Sequence, residues 1–235
     1  MIQPTDEQRR QWTDEGYLVL ERAVTGELLR RLHEAHVHWS EQCKEEWLER
    51  VEAAETAATY YDVPNPFDKD EIFVELVDHP SWYDLLMDFM DGDLMFNGPQ
   101  LRTVPNWPVS YTRWHPDIGQ DSPIHIKVQV YFNDVGPEGA FGFVPGSHKM
   151  KHQLPYVHRL RSMPGHKVIG GKAGTTVMFN TRGTHAAMEN KSGSPRRSVI
   201  LCYKKRSEWQ GSPDKFARIA HLCKTPERRR LLCLE

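Results

Sequence analysis

Residues 124–132 read Ile-His-Ile-Lys-Val-Gln-Val-Tyr-Phe, and this stretch decides how the second half of the chain is interpreted. Its apolar and polar residues alternate, which is the period of a half-buried β-strand. Further short runs with strand composition occur at 140–144, 175–180 and 198–203, in a region punctuated by glycine, proline and aromatic residues. Together these runs predict an antiparallel sheet or barrel.

The first half of the chain carries helical signals instead. Thr5 and Gln8 have the spacing of a capping box ahead of a polar helix, and Gly16 ends that helix. A short apolar run at 17–20 predicts a strand. Thr25 can cap a longer helix in which leucines recur at helical period.

Length and composition fit one domain. The chain has 235 residues, of which 39% are hydrophobic, and this is enough for a sizeable core. We expect an α+β domain with a jelly-roll-like barrel flanked by N-terminal helices. The expected parts are a mainly helical region at 1–93, a barrel core at 94–205 and a C-terminal helical tail at 206–235.

The composition also excludes several classes of partner. A formal net charge of −2 gives no reason to expect binding to nucleic acid or to an anionic membrane. No apolar run approaches the roughly 18 residues of a membrane span. The polar N-terminus lacks the layout of a signal peptide, so we expect a cytoplasmic protein. Its cysteines show no paired spacing and indicate neither disulfides nor a thiolate zinc site: Cys43, Cys202, Cys223 and Cys233.

One histidine cluster resembles a metalloprotease helix without matching it. His33, His36 and His38 surround Glu34, but that motif needs histidines four residues apart, and the fourth position is Val37. We therefore interpret these histidines as surface residues of an amphipathic helix.

A second cluster has the character of a metal site. His115 and Asp117, in the sequence Trp-His-Pro-Asp, are two residues apart and would lie on one side of an extended strand. His185 follows the apolar strand 175–180 and is the best candidate for a third ligand. Two histidines and one carboxylate on one face of a metal are typical of non-haem iron oxygenases. A purely structural role is the alternative, because a His-x-Asp sequence is common.

A candidate anion site follows on the next strand. Arg196 and Ser198 alternate onto one face, and Arg197 onto the other. A guanidinium beside a hydroxyl matches the far carboxylate of a dicarboxylic acid. The alternative for either arginine is a solvated strand edge.

These segments together resemble the phytanoyl-CoA dioxygenase family of iron(II)- and 2-oxoglutarate-dependent oxygenases. The resemblance covers most of the chain and rests on five motifs in matching order: the opening helix and strand at 5–21, the segment 114–117, the strand and Pro-Gly-Ser-His turn at 139–149, the segment 174–185, and Arg196.

The resemblance implies roles for particular residues. His115, Asp117 and His185 would bind iron(II), and Arg196 would bind the 5-carboxylate of 2-oxoglutarate, with dioxygen as the other cosubstrate. The implied fold is a double-stranded β-helix with flanking helices. Ser147 and His148, in the Pro-Gly-Ser-His turn, are interpreted as turn structure and not as ligands.

Two positions depart from the family pattern. Pro116 stands between the iron ligands, where the family often has glutamine. Gln129 occupies a strand position where an aromatic residue commonly lines the cosubstrate, and we expect it to bind 2-oxoglutarate together with Ser198. Lys127, Gln129 and Tyr131 share one face of that strand.

The implied activity is hydroxylation of a small organic molecule, with release of succinate and carbon dioxide. Candidate substrate contacts are Trp107, Tyr111 and Arg113, which precede the iron motif, and the basic segment 149–167 could receive an anionic group. Two other classes of protein stay open, namely a non-oxidative cupin-like metal enzyme and an inactive small-molecule-binding barrel. The oligomeric state has no signature in the sequence.

Overall fold

The structure is a computed structural model that describes residues 4–109, 111–151, 160–208 and 213–234. The α-helices are α1 Asp6–Glu15, α2 Gly26–Glu52, α3 Pro66–Lys69, α4 Tyr83–Phe89 and α5 Pro226–Leu231. The 3₁₀ helices include Glu71–Leu76, Ser147–Lys149 and Pro213–Leu222. The strands are β1 Tyr17–Leu20, β2 Tyr61–Val63, β3 Met95–Val104, β4 His125–Tyr131, β5 Phe141–Phe143, β6 Lys167–Ile169, β7 Thr176–Asn180, β8 His185–Ala187 and β9 Arg196–Lys204. None of the helices described is long and apolar enough to cross a bilayer.

Two antiparallel sheets form the centre of the described part of the chain. The larger has the strand order β1-β7-β4-β9-β3-β2, and the smaller has the order β6-β5-β8. Buried side chains from both sheets join in one apolar cluster, which includes Phe141 and Phe143 of the small sheet and Val177 and Phe179 of the large one. The two sheets therefore pack face to face, and the space between them holds the site described below.

The opposite face of the large sheet packs against the helices. Val128, Val130 and Leu201 of the sheet share a buried cluster with Leu32 of α2 and Leu86 of α4. The polar-apolar alternation of β4 follows from this arrangement, since its apolar side chains point to the helices and its polar ones to the space between the sheets.

The structure confirms the predicted mixture of helices and antiparallel strands and adds strands that the sequence hides. The runs at 124–132, 140–144, 175–180 and 198–203 become β4, β5, β7 and β9. Strand β3 was not predicted, because it contains Gly98 and Pro99, and its pairing with β9 shifts register between Phe96 and Gly98. Strand β1 confirms the strand predicted at 17–20, and β2 is a further strand in the region expected to be mainly helical. Both extend the large sheet.

The expectation that the α2 histidines lie at the surface is wrong for His36. Its side chain is fully buried, and its Nε2 lies 3.2 Å from the carbonyl oxygen of Arg102 on β3. Its ring also packs edge-on against Phe132. Burial lowers the pKa of His36 from 6.5 to about 3, so the ring is neutral in the folded protein at neutral pH.

We expect mild acid to destabilise the fold through His36. Because its folded pKa is below its unfolded value, protonation favours the unfolded chain, and stability is lost as the pH falls below about 6.5. Between pH 7 and pH 5 this costs about 2 kcal/mol of the free energy of unfolding. Urea unfolding is measured at pH 7 and at pH 5, and His36→Gln should lack most of this loss in the free energy of unfolding. The matched variant His38→Gln changes an exposed histidine of the same helix and should keep the native pH dependence. An unchanged pH dependence in His36→Gln would contradict this assignment.

Candidate active site

The Trp-His-Pro-Asp segment pairs with β8 and so brings the predicted ligands together. The N–H of His115 donates to the carbonyl of His185 at 3.0 Å, and the N–H of His185 donates back at 3.0 Å. The N–H of Asp117 donates to the carbonyl of Thr181 at 2.9 Å. Residues directly opposite one another in an antiparallel pair project to the same side, and the two imidazole centroids are 4.7 Å apart.

The three side chains offer ligand atoms that all lie within 4.8 Å of one another. Nε2 of His115 is 4.0 Å from Oδ1 of Asp117, and Nε2 of His185 is 3.5 Å from Oδ2 of Asp117. Each histidine has its Nδ1 against a backbone carbonyl, that of Arg113 for His115 and that of Gly183 for His185. An Nδ1–H that donates to a carbonyl leaves the Nε2 lone pair for a metal, so this donor set fits iron(II).

The electrostatics of the cluster suit metal ligation. Burial lowers the pKa of His185 to about 4, which keeps its imidazole neutral at neutral pH. Burial acts to raise the pKa of Asp117, but His185 and Lys127 outweigh it and hold that pKa below its ordinary value. Nζ of Lys127 is 3.0 Å from the Asp117 carboxylate. Neutral imidazoles and an ionised carboxylate are the forms that coordinate a divalent cation.

The turn at 145–149 contacts Thr184, the residue that precedes β8. The Ser147 hydroxyl accepts the N–H of Thr184 at 2.8 Å and donates to the carbonyl of Val144 at 2.6 Å. Nε2 of His148 lies 3.2 Å from the carbonyl of Thr13, and His148 is not part of the ligand cluster. Both contacts agree with the interpretation of these residues as turn structure. A side chain at Gly183 would place its Cβ 2.3 Å from the Phe143 ring, so the backbone beside His185 requires glycine.

Arg196 lies on the inner face of β9 as a buried cation with no acidic partner among the described residues. It is 3% exposed, its Nη1 donates to the carbonyl of Gly139, and its Nε is buried without a hydrogen-bond partner. Burial lowers the pKa of Arg196. A buried guanidinium without a counter-charge is costly, and a carboxylate ligand would relieve that cost.

A cavity of about 140 Å³ joins Arg196 to the ligand cluster. Its wall includes Gln129, whose Nε2 donates to the Ser198 hydroxyl at 3.2 Å. Of the sequence-predicted cosubstrate residues, Arg196 and Gln129 thus line the same small cavity as the three predicted metal ligands. Ser198 is fully buried and is not in the described wall, and it contacts the cavity only through Gln129. The volume of the cavity and its single unpaired buried guanidinium fit a small dicarboxylate.

Two charged residues of this cavity were not predicted as site residues. Lys127 shares the inner face of β4 with Gln129, so the alternation that identified Gln129 could also have identified it. Arg102 lies on β3, the hidden strand, where it makes a bidentate ion pair with Asp62 at 2.8 and 2.7 Å and packs over the Tyr60 ring. No local pattern marks it.

The predicted substrate contacts do not line the described cavity walls, although the backbone carbonyl of Arg113 contacts His115. Trp107 is 76% exposed, and Trp107, Tyr111 and Arg113 are absent from the described walls of the cavities at the site. Their role in substrate binding stays a prediction. Residues 152–159 of the basic segment 149–167 fall outside the described residues.

The phytanoyl-CoA dioxygenase family profile matches residues 12–198, which is most of the chain and includes both parts of the site. The chain belongs to the phytanoyl-CoA dioxygenase family. It is an oxygenase that depends on iron(II) and 2-oxoglutarate. Among curated proteins it is similar to an L-proline trans-4-hydroxylase of Streptomyces griseoviridis. The two are 23% identical over 181 residues, which cover 62% of this chain and 68% of that protein.

Solved structures share the fold of this dioxygenase-family chain at low sequence identity. HygX from Streptomyces hygroscopicus, with nickel and 2-oxoglutarate bound, superposes with a TM-score of 0.65 at 15% identity, covering 86% of this chain and 87% of that one. The α-ketoglutarate-dependent epimerase SnoN of nogalamycin biosynthesis gives 0.64 at 19% identity, with coverages of 85% and 80%.

Proposed function

We propose that this dioxygenase hydroxylates a small organic molecule and converts 2-oxoglutarate to succinate and carbon dioxide. The observation that carries the proposal is one 140 Å³ cavity lined both by two histidines and one aspartate and by a buried arginine without an acidic partner among the described residues. A non-oxidative metal enzyme or an inactive barrel needs no buried guanidinium at that place. We further propose that the two facing sheets form the double-stranded β-helix of this enzyme class.

Metal binding and cosubstrate binding are assigned to different residues at the cavity. His115, Asp117 and His185 would hold iron(II), which when bound supplies the activation of dioxygen. Lys127 holds the Asp117 carboxylate in position and balances its charge. Arg196 receives the 5-carboxylate of 2-oxoglutarate with its planar fork, and Ser198 and Gln129 supply neighbouring hydrogen bonds.

Small molecules are the expected substrates. The named relative acts on L-proline, and HygX has been solved with hygromycin B bound. Neighbours of the same fold include an epimerase and a carbocyclase, so the fold by itself does not select hydroxylation. Hydroxylation is proposed because the relative detected by sequence is a hydroxylase.

The proposal is tested by binding and then by turnover. Iron(II) and 2-oxoglutarate added together without oxygen should give a weak visible charge-transfer band, whereas zinc(II) in place of iron(II) should give none. A panel of small organic molecules is then screened with oxygen, with succinate and the hydroxylated product measured by mass spectrometry. Absence of both the band and succinate would refute the proposal. Succinate coupled to a product other than an alcohol would refute hydroxylation alone.

A further inference from the structure

A larger cavity of about 580 Å³ opens onto the ligand cluster. It shares three wall residues with the small cavity, namely Gln100, Asp117 and Lys127. Its volume is in the range of about 300–1,000 Å³ that is typical of sites for small organic ligands. This cavity reaches the proposed ligand Asp117 but is not lined by Arg196, so a molecule in it could approach the ligand cluster while the Arg196 site is occupied.

The walls of this larger cavity are apolar over much of their area. Phe67 of α3 and Phe216 of the 3₁₀ helix Pro213–Leu222 face one another with ring centroids 6.2 Å apart. Ile219 of the same helix and Pro99 of β3 extend this surface. These side chains can hold an apolar or aromatic body but cannot orient it, since apolar contacts are not directional.

Most charges in the wall are neutralised within the protein. Nη2 of Arg218 is 2.6 Å from Oδ2 of Asp68, and Lys127 is paired with Asp117. Burial lowers the pKa of His125, which leaves its ring neutral at neutral pH. Among the described wall residues, one cation then remains that has no carboxylate partner.

That cation is Lys215. Its ammonium group donates to the backbone carbonyl of Asn97, and no described carboxylate lies within 4.0 Å of it. The ammonium nitrogen of Lys215 also lies next to Gly98. A Cβ atom at position 98 would be 3.7 Å from it. Lys215 is an exposed residue, so an incoming anion can reach it. Partial desolvation and, less strongly, the positive charge of Lys204 lower the pKa of Lys215.

We propose that Lys215 binds an anionic group of the substrate, a carboxylate or a phosphate, while Phe67 and Phe216 hold an apolar body that reaches toward Asp117. The inference rests on the proposed function and adds to it the substrate class: an amphipathic anion. Anchoring at Lys215 fixes one end of the molecule, which would determine the carbon presented at the metal end.

The test measures binding with nickel(II) and saturating 2-oxoglutarate present, so that the Arg196 site is filled and no turnover occurs. The probes are phenylpropanoate, phenylbutanoate and phenylhexanoate, their primary amides, and the matching phenylalkyl phosphates. We expect at least one anion to bind at least about tenfold more tightly than its amide. That preference should fall below about threefold in Lys215→Met and persist in Lys215→Arg. A stronger preference for carboxylate or for phosphate identifies the anion.

Lys44→Met is the matched control, because Lys44 is an exposed lysine of α2 and lines neither cavity. It should keep the native preference. Equal or undetectable binding of anions and amides, or an unchanged preference in Lys215→Met, would overturn the inference. Succinate formation with iron(II) is measured separately on the native protein, so failure of the proposed function is distinguished from failure of the Lys215 assignment.

Discussion

Replacement of His185 by alanine is expected to reduce succinate formation to background and to weaken iron(II) binding by more than about 100-fold, since even indirect supports of a metal site are worth roughly 10–100-fold. His185 is the most deeply buried of the three proposed ligands, and its Nε2 is 3.5 Å from Asp117. Without the His185 imidazole, only His115 and Asp117 remain of the three proposed protein ligands. The backbone pairing with His115 does not involve the imidazole, so the fold should persist.

The measurement combines anaerobic iron(II) titration with succinate assay and thermal unfolding of the metal-free protein. His38→Ala is the control, because His38 is an exposed histidine of α2 that contacts Gln42. It should retain native iron affinity and turnover. Native iron affinity in His185→Ala would show that the proposed ligand set is wrong.

Replacement of Arg196 by alanine is expected to weaken 2-oxoglutarate binding by at least about tenfold. Truncating one member of a buried charge pair typically costs roughly 2–5 kcal/mol, and each 1.4 kcal/mol is about tenfold in affinity. Arg196→Lys should recover only part of the loss, since an ammonium group cannot reproduce the two parallel hydrogen bonds of a guanidinium. The dissociation constant is measured by anaerobic titration of the iron(II)-loaded protein with 2-oxoglutarate.

Arg197 provides the matched control on the next residue of β9. Its side chain points to the other face and lies 3.4 Å from Glu41 of α2. Partly exposed ion pairs of this kind contribute roughly 0–1 kcal/mol, so Arg197→Ala should change 2-oxoglutarate affinity by less than about threefold. A larger loss in Arg197→Ala than in Arg196→Ala would reverse the proposed roles of the two residues.

Local signals in the sequence determined much of the scaffold. The Thr5–Gln8 capping box forms at the start of α1, and Gly16 ends it with a left-handed backbone. Both features depend on residues within one or two helical turns, which is why spacing alone predicts them. The alternation in β9 likewise placed Arg196 and Ser198 on one face and Arg197 on the other. Strand period fixes relative facing regardless of what the strand packs against.

Other features depended on contacts between distant segments, and only the tertiary structure decided them. His36 is buried because α2 lies against β3 and Phe132, a contact that its own helical pattern does not encode. Strand β3 forms because β2 and β9 pair with it despite Gly98 and Pro99. Tertiary pairing supplies hydrogen bonds that can override weak local strand propensity.

The site itself shows the same division. The sequence identified His115, Asp117 and His185 by residue type, spacing and family resemblance, but their closeness arises from the pairing of the 114–117 segment with β8. The larger cavity depends even more on the tertiary structure, because its wall residues Phe67, Asn97 and Lys215 come from three separate elements. Periodicity within a segment determines which side chains share a face. Which faces meet across a cavity depends on long-range packing, because each wall is stabilised by partners far away in the chain.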